Sequence, residues 1–319
     1  MYTPDSTRWS ERTSLFKPAT NADQTELEAV RFGSAPIDTG VQDDLIADEH
    51  HADDINADNN WEQEDFAIEE VSGKVAIEID RRATLSNGCY PFVRDGNTLR
   101  YVPSSTSAYE FCLVTSLQKN ITKAPFNSLP ITFELLSAEV AKFYLGERAE
   151  CLRTGWPSHG PDRPVSFIEL MRHIKSLTGE FEWQPRIPVG PDEGDVGPKD
   201  EGMDYVAWKP FGDQRNGKVF LLGQCACGND WVDKLDDLSK EKLQQWLNPI
   251  TWAEFLPAFS VPHHIPGHYI FSHVCTQAGV TFDRLRLAII SEQYNAAFPQ
   301  NLKEKLIEGV RLFLPDYRT

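Results

Sequence analysis

Asp204 is the residue from which chemistry can first be argued. It stands in "GMDYVAWKPFGDQRNGKVFLLGQCACGNDW", residues 202 to 231, directly before the apolar run Val206, Ala207, Trp208. Asp is depleted in strands, and a buried carboxylate must be paired, hydrogen-bonded or bound to a metal. "YVAW" and "KVFLLGQCA" both read as strands, and the Pro/Gly/Asn/Asp cluster "PFGDQRNG" between them reads as a turn. A turn centred near Gln214 pairs the strands antiparallel, with partner numbers summing to about 428. Asp204 then faces Gln224, and Gln224 shares a face with Ala226 because strand side chains alternate. An acid on one strand meets the first position of a "QCA" triplet on the next.

Other residue types raise other chemistries. Cys225 and Cys227 form "CAC", and "HHIPGHYIFSHVC" offers His263, His264, His268, His273 and Cys275. Zinc favours such ligands, but C-x-C on a strand lacks the usual turn spacing, and no second Cys pair accompanies it. His268 and His273 are five apart, about 140° around a helix, which suits joint ligation poorly. Cys225 with His263 would be a protease-like pair, yet a strand-interior thiol without a helix N-terminus behind it is ordinarily inert. The loop "GWPSHGPDRP" carries Trp156 and His159, as a substrate contact or as a plain connector. The phosphate-cradling pattern G-x-x-x-x-G-K-[ST] is absent, so the chain is not itself an ATPase.

The elements that must position these residues alternate along the chain. From Trp61 a helical stripe runs through Phe66, Val71, Val75 and Ile79. "YPFVRDGNTLRYVP" is a hairpin around Asp95-Gly96. "AYEFCLVTSL" is a strand or a buried helix; its periodicity does not separate the two. "ITFELLSAEVAKFYLGE" is a helix with Thr132 as N-cap, Phe133, Leu136, Val140 and Phe143 on one face, and Gly146 as its stop. "SFIELMRHIKSLTG" opens with the capping box Ser166-x-x-Glu169, buries Phe167, Leu170, Met171, Ile174 and Leu177, and ends at Gly179. A Pro/Gly-rich loop at 185–202 follows, then the hairpin, then a helix "DWVDKLDDLSKEKLQQWL" capped by Asn229 with Trp231, Leu235 and Leu238 inward. Strands near 253–261 and 283–290 and helices near 266–278 and 301–313 complete a mixed α/β order.

Charge is unevenly placed. The chain of 319 residues carries a formal −17, and residues 1–71 hold 18 Asp and Glu against 4 Lys and Arg, leaving only −3 for the rest. The acidity therefore does not exclude a nucleic-acid groove in the body. Arg81, Arg82, Arg94, Arg100, Lys209, Arg215, Lys218, Arg284 and Arg286 are candidates for backbone contacts. The opening residues lack the apolar core of a signal peptide, and no stretch reaches the ~20 apolar residues of a membrane span. Six scattered cysteines suit reduced thiols and a cytoplasmic protein. Three regions are expected: an acidic, largely flexible segment at 1–60, a small α+β accessory region at 61–128, and an α/β domain at 129–319.

A helix beginning "FE", then "GxDxVAW", a short turn and a strand ending "Q-C-x" resembles the PD-(D/E)XK nuclease superfamily, most closely Mrr-type restriction endonucleases. The resemblance runs from Phe133 to Leu235, about a third of the chain. It implies a restriction-endonuclease-like mixed sheet flanked by helices, with an N-terminal extension. It also implies a metal-dependent DNA endonuclease, the effector of a prokaryotic antiviral defence system, with an ATPase or sensor subunit as partner and oligomerisation compatible. Glu134 matches the acid of the first core helix, Asp204 the metal-binding Asp, and Gln224 the opening of the (E/Q)-x-K triplet. The Lys position is Ala226, and Lys234, early in the following helix, is the residue that could reach back to replace it.

The resemblance implies Mg²⁺ or Mn²⁺ held by Asp204, Glu134, Gln224 and the Cys225 carbonyl, with Lys234 stabilising transition-state charge. Each residue also has a purely structural explanation. Glu134 in a first turn suits the helix dipole, Asp204 can cap the preceding loop, Gln224 can satisfy a buried hydrogen bond, and Lys234 can be a solvated helix residue. The alternative function is a catalytically inactive nuclease-fold subunit that binds DNA or serves as a scaffold, for which Ala226 is the evidence.

Overall fold

A computed structural model of the chain describes residues 16–39, 61–157, 166–187, 200–213 and 215–318. The centre is a five-stranded mixed sheet in the order β4-β5-β6-β7-β8. Its strands are β4 (Glu150–Arg153), β5 (Tyr205–Lys209), β6 (Val219–Cys225), β7 (Leu256–Ser260) and β8 (Val280–Phe282). The pairs β4–β5 and β5–β6 are antiparallel, and β6–β7 and β7–β8 are parallel. The β5–β6 register pairs Tyr205 with Gly223 and Lys209 with Val219, as expected from the turn centre.

Alternation along β5 and β6 builds two cores. Tyr205, Ala207 and Leu221 face one side, where α4 (Leu129–Leu145) supplies Phe133, Leu136 and Val140. Val206, Trp208, Phe220 and Leu222 face the other, where α5 (Phe167–Thr178) supplies Phe167, Leu170, Met171 and Ile174. Helices on both faces oblige these strands to be apolar on both sides. The parallel β6–β7 and β7–β8 pairs need crossovers. The first is residues 226–255, with a 3₁₀ turn at Trp231–Lys234 and a short helix α6 (Lys240–Leu243); the second is α7 (His268–Ala278).

Before the large sheet lie α1 (Phe16–Phe32), α2 (Trp61–Leu85) and a three-stranded antiparallel sheet. That sheet contains β1 (Ser34–Pro36), β2 (Phe92–Asp95) and β3 (Thr98–Tyr101) in the order β1-β3-β2. The helix α3 (Ala108–Leu117), buried from Ala108 to Ser116, packs on α8 (Arg284–Gln293) and α9 (Gln300–Arg311). One apolar cluster therefore reaches from Ala22 to Tyr317 and crosses the expected boundary at 128/129. No helix of the described residues is long and apolar enough to cross a membrane.

Several expectations change. Residues 16–39 of the segment expected to be largely flexible form α1 and β1, with Asn21, Thr25 and Glu26 buried; residues 1–15 and 40–60 lie outside the described residues, as does most of the 185–202 loop. The strand expected at 283–290 is α8, because the Asp283 side chain caps it by accepting from the Arg286 N–H at 3.1 Å. The long helix expected from Asn229 breaks into the 3₁₀ turn and α6, since Ser239 starts a new cap by accepting from the Lys242 N–H. Trp231 and Leu235 are buried all the same. The helix α4 starts at Leu129, with Pro130 in its first turn, so Thr132 is not the cap and Glu134 stands in the second turn. Leu177 is 49% exposed rather than inward.

Candidate functional site

Two carboxylates meet at one end of the large sheet. Glu134 projects from the second turn of α4 and is buried. Asp204 is half-buried, immediately before β5. What fixes it is a web of backbone bonds. Its N–H donates to the Gly223 carbonyl at 2.8 Å, one residue away from the partner that the regular ladder would assign. Its carbonyl accepts from the N–H groups of Thr154 (2.8 Å) and Gly155 (3.0 Å). Its side-chain Oδ2 accepts the Cys225 N–H at 2.7 Å. The carboxylate thereby does the work of a backbone acceptor in the ladder.

Gly155 lets the two acids approach. A Cβ at this position would lie 2.7 Å from the Glu134 carboxyl carbon and 2.9 Å from Asp204 Oδ1, closer than real side-chain contacts allow. Both carboxyl groups thus crowd the same point of the chain. Arg153, the last residue of β4, brings its Nε within 2.6 Å of Glu134 Oε2 and is itself buried. Its Nη2 also donates to the Pro157 carbonyl at 3.1 Å.

The electrostatics reflect two carboxylates placed close together. Burial first, then the neighbouring Glu134, push Asp204 well above the usual carboxylate range. The Cys225 N–H and Arg153 act in the opposite direction, and Asp200 adds to the rise. Asp200 accepts the N–H groups of Trp156 (3.0 Å) and Gly202 (3.1 Å), which ties the rim of the site together. Trp156 is 38% exposed at that rim.

The thiols beside the acids are held neutral. Burial, then Asp204 and Glu134, push Cys225 far above an ordinary thiol, and burial, then Glu134 and Asp204, do the same to Cys227. A thiolate nucleophile next to two carboxylates is the opposite of what cysteine catalysis requires. His263 places Nε2 3.2 Å from the Gly228 carbonyl, and burial lowers its pKa to about 4.

The remaining expected site residues are placed as follows. Gln224 does not face the Asp204 carboxylate. It has the parity of Phe220 and Leu222, and its amide is spent on the crossover segment: Nε2 donates to Asp237 Oδ2 and Oε1 accepts the Leu238 N–H, both at 3.3 Å. The Asp204 carboxylate instead lies with Glu134 of α4, the helix on the other face of the sheet. The one-residue slip at Asp204 is the physical reason. Ala226 is buried among Trp231, Leu235 and Phe259. Lys234 rests 3.4 Å from Asp230 Oδ2 with its side chain 37% exposed, and its charge also acts on the Cys227 thiol.

Arg153 and Gly155 escaped sequence reasoning because β4 is four residues long and shows no clear alternation. Among the basic residues considered for a nucleic-acid backbone, Arg82 and Arg284 are fully buried in ion pairs. Lys218 is buried against the carbonyls of Thr178 and Arg215. Arg81, Arg94 and Arg215 each hold an acid of their own, which leaves Arg100, Lys209 and Arg286.

Among the described residues no group of three or more His, Cys, Asp and Glu is placed to hold a metal ion; the acid pair is a two-carboxylate arrangement. Comparison of the chain with protein-family models, with curated proteins and with solved structures finds no match in any of the three.

Proposed function

We propose that the chain is a metal-dependent phosphodiesterase, a DNA endonuclease in which Glu134 and Asp204 hold a divalent cation. The observation that carries this reading is the convergence of two carboxylates on Gly155, with Arg153 beside Glu134. The residues fit a hard cation on that ground, since Mg²⁺ is commonly held by one or two carboxylates, with water and substrate phosphate completing its octahedron. The bound ion would supply an activated water and charge neutralisation at the phosphoryl group.

The chain's own residues divide the remaining work. Arg153 pairs with Glu134 and orients its carboxylate. The Cys225 N–H fixes one Asp204 oxygen and leaves Oδ1 directed at the Gly155 crevice. Gln224 ties the crossover segment to β6 through Asp237 and Leu238, a positioning role in place of ligation. Lys234 is the cation available to a phosphate, because an exposed pair such as Lys234–Asp230 is worth only about 0–1 kcal/mol and releases its ammonium at little cost. The restriction-endonuclease-like core and the role as effector of a defence system, with an ATPase or sensor partner, belong to the same proposal and rest on the motif resemblance.

Purified protein with Mg²⁺ or Mn²⁺ is expected to nick or linearise plasmid DNA, and Asp204→Ala to abolish this. Cleavage that survives Asp204→Ala overturns the proposal. A second reading, a nuclease-fold subunit that binds DNA without cutting it, is favoured by buried Ala226 and by the Lys234–Asp230 pair. Plasmid binding by the wild-type chain without cleavage in any divalent metal would favour that reading.

A further inference from the structure

Away from the acid pair, a hollow of about 480 Å³ opens between α2, the 264–267 loop and the N-terminal turns of α7 and α8. Its walls are mostly apolar, with Leu85, Ile265, Phe271, Leu285 and Ile289, and His264, His268 and Asp283 also reach it. Its volume falls in the range of small-molecule sites, about 300–1,000 Å³. Leu85 stays 52% exposed at the mouth, an apolar surface the fold leaves without a cover among the described residues.

Two guanidinium groups line the same hollow with donors to spare. Arg81 spends Nε and Nη2 on Glu78 at 2.9 and 3.0 Å, and Nη2 also lies 2.8 Å from His264 Nε2. Among the described residues its Nη1 makes no hydrogen bond. Arg286 spends Nη1 on the Thr281 carbonyl at 2.8 Å and lies 4.5 Å over the Phe271 ring. No acid among the described residues pairs with it, and its Nε and Nη2 are unspent. The two acids nearby are already engaged. Glu78 is held by Arg81, Arg82 and His264, and Asp283 by His264 and the N–H groups of Ile265 and Arg286. What remains is a largely apolar hollow lined by two guanidinium groups with unspent donors, whose neighbouring acids, Glu78 and the lining Asp283, are already engaged.

We propose that this hollow binds a small amphipathic anion, its apolar body against Ile265, Leu285 and Ile289 and its carboxylate or phosphate on Arg81 and Arg286. Apolar walls suit a compact organic body and do not suit a solvated polyphosphate chain, while planar guanidinium forks match carboxylate and phosphate oxygens. The contact joins α2 to α8, so occupancy stiffens the seam between the N-terminal helices and the large sheet. None of the lining residues belongs to the acid pair, so the site stands or falls independently of nuclease activity.

The test uses the full chain and 1-anilinonaphthalene-8-sulfonate, whose fluorescence rises on binding. One saturable site per chain is expected, displaced by octyl phosphate and by octanoate but not by octanol; displacement by only one of the two anions identifies the head group. Arg286→Gln is expected to weaken binding at least about tenfold, the worth of a charge-assisted hydrogen bond. Ile289→Trp fills the hollow and is expected to remove the site; Leu85→Trp at the exposed mouth serves the same purpose should Ile289→Trp fail to fold. Non-saturable binding, displacement by octanol, or affinity unchanged in Arg286→Gln and in the filled variant would overturn the proposal.

Discussion

The protein buries acids and arginines in two places, and treats them in opposite ways. Where α1, α2 and α8 meet, Arg82 and Arg284 are fully buried, and Asp23, Glu26 and Glu78 surround them with contacts of 2.6 to 3.5 Å. The hydroxyls of Tyr90 and Tyr109 donate to Glu26 at 2.6 and 2.9 Å, and Arg284 also donates to the Pro262 carbonyl and Ser116 Oγ. Burial alone would raise Asp23, yet Arg284 and Arg82 hold it far below the carboxylate range; Glu78 is likewise lowered to about 2 against the push of burial, by His264, Arg82 and Arg81. At Gly155 the same residue types leave Asp204 raised instead. A network whose arginines lower the proton affinity of its carboxylates is finished structure. A pair that raises it is waiting for a cation, a proton or a substrate.

Breaking the finished network should have the largest effect. Arg284→Met leaves buried Glu26 and half-buried Asp23 beside a single arginine, and unfolding in denaturant is expected to show a loss of about 3–5 kcal/mol. At the acid pair, Gly155→Ala forces a Cβ between Glu134 and Asp204. Overpacking of this kind costs about 1–3 kcal/mol, and it should depress divalent-metal binding and cleavage out of proportion to that loss of stability.

The pH dependence should run in opposite directions in the two regions. Glu78 titrates lower in the folded chain than the ordinary 4.5, so its contribution is present above that value and lost as pH falls toward about 2. Asp204 titrates higher than the ordinary 3.8, so the folded state binds its proton more tightly, and stability falls as pH rises from that value. Asp204→Asn should therefore raise the melting temperature at neutral pH, with the gain vanishing below the ordinary carboxylate range. A melting temperature lowered by that substitution at pH 7 would show that the acid is stabilising after all. The smallest effect belongs to Lys234→Met, expected to change stability by less than about 1 kcal/mol because the pair with Asp230 is exposed. Its effect on cleavage should be far larger, if the ammonium meets the phosphate.

The hairpin was legible in the sequence, register included, because its turn residues fix the centre and the strand period fixes the rest. Asp204 was legible because an acid before an apolar strand needs a reason. Its true neighbour was not: a one-residue slip in the ladder moves the carboxylate toward α4, and no propensity signals a slip that is made by the side chain itself. The network was invisible for a simpler reason. Asp23 lies 59 residues from Arg82 and 261 from Arg284, and a sequence displays charges without their partners. Arginines that read as surface contacts for a polyanion are instead part of the core. The 283–290 segment reads as a strand by its run of Leu and Ile, but the Asp283 cap settles it as a helix.

Calorimetric titration of the full chain with Mn²⁺, in two buffers of different ionisation enthalpy, addresses the acid pair most directly. One site is expected, with affinity growing as pH rises, because the cation competes with the proton whose hold on Asp204 burial and Glu134 strengthen. Asp204→Asn and Glu134→Gln should each remove it. Absence of binding by the wild-type chain, or binding that is unchanged in Asp204→Asn, would contradict the assignment of this crevice as a cation site.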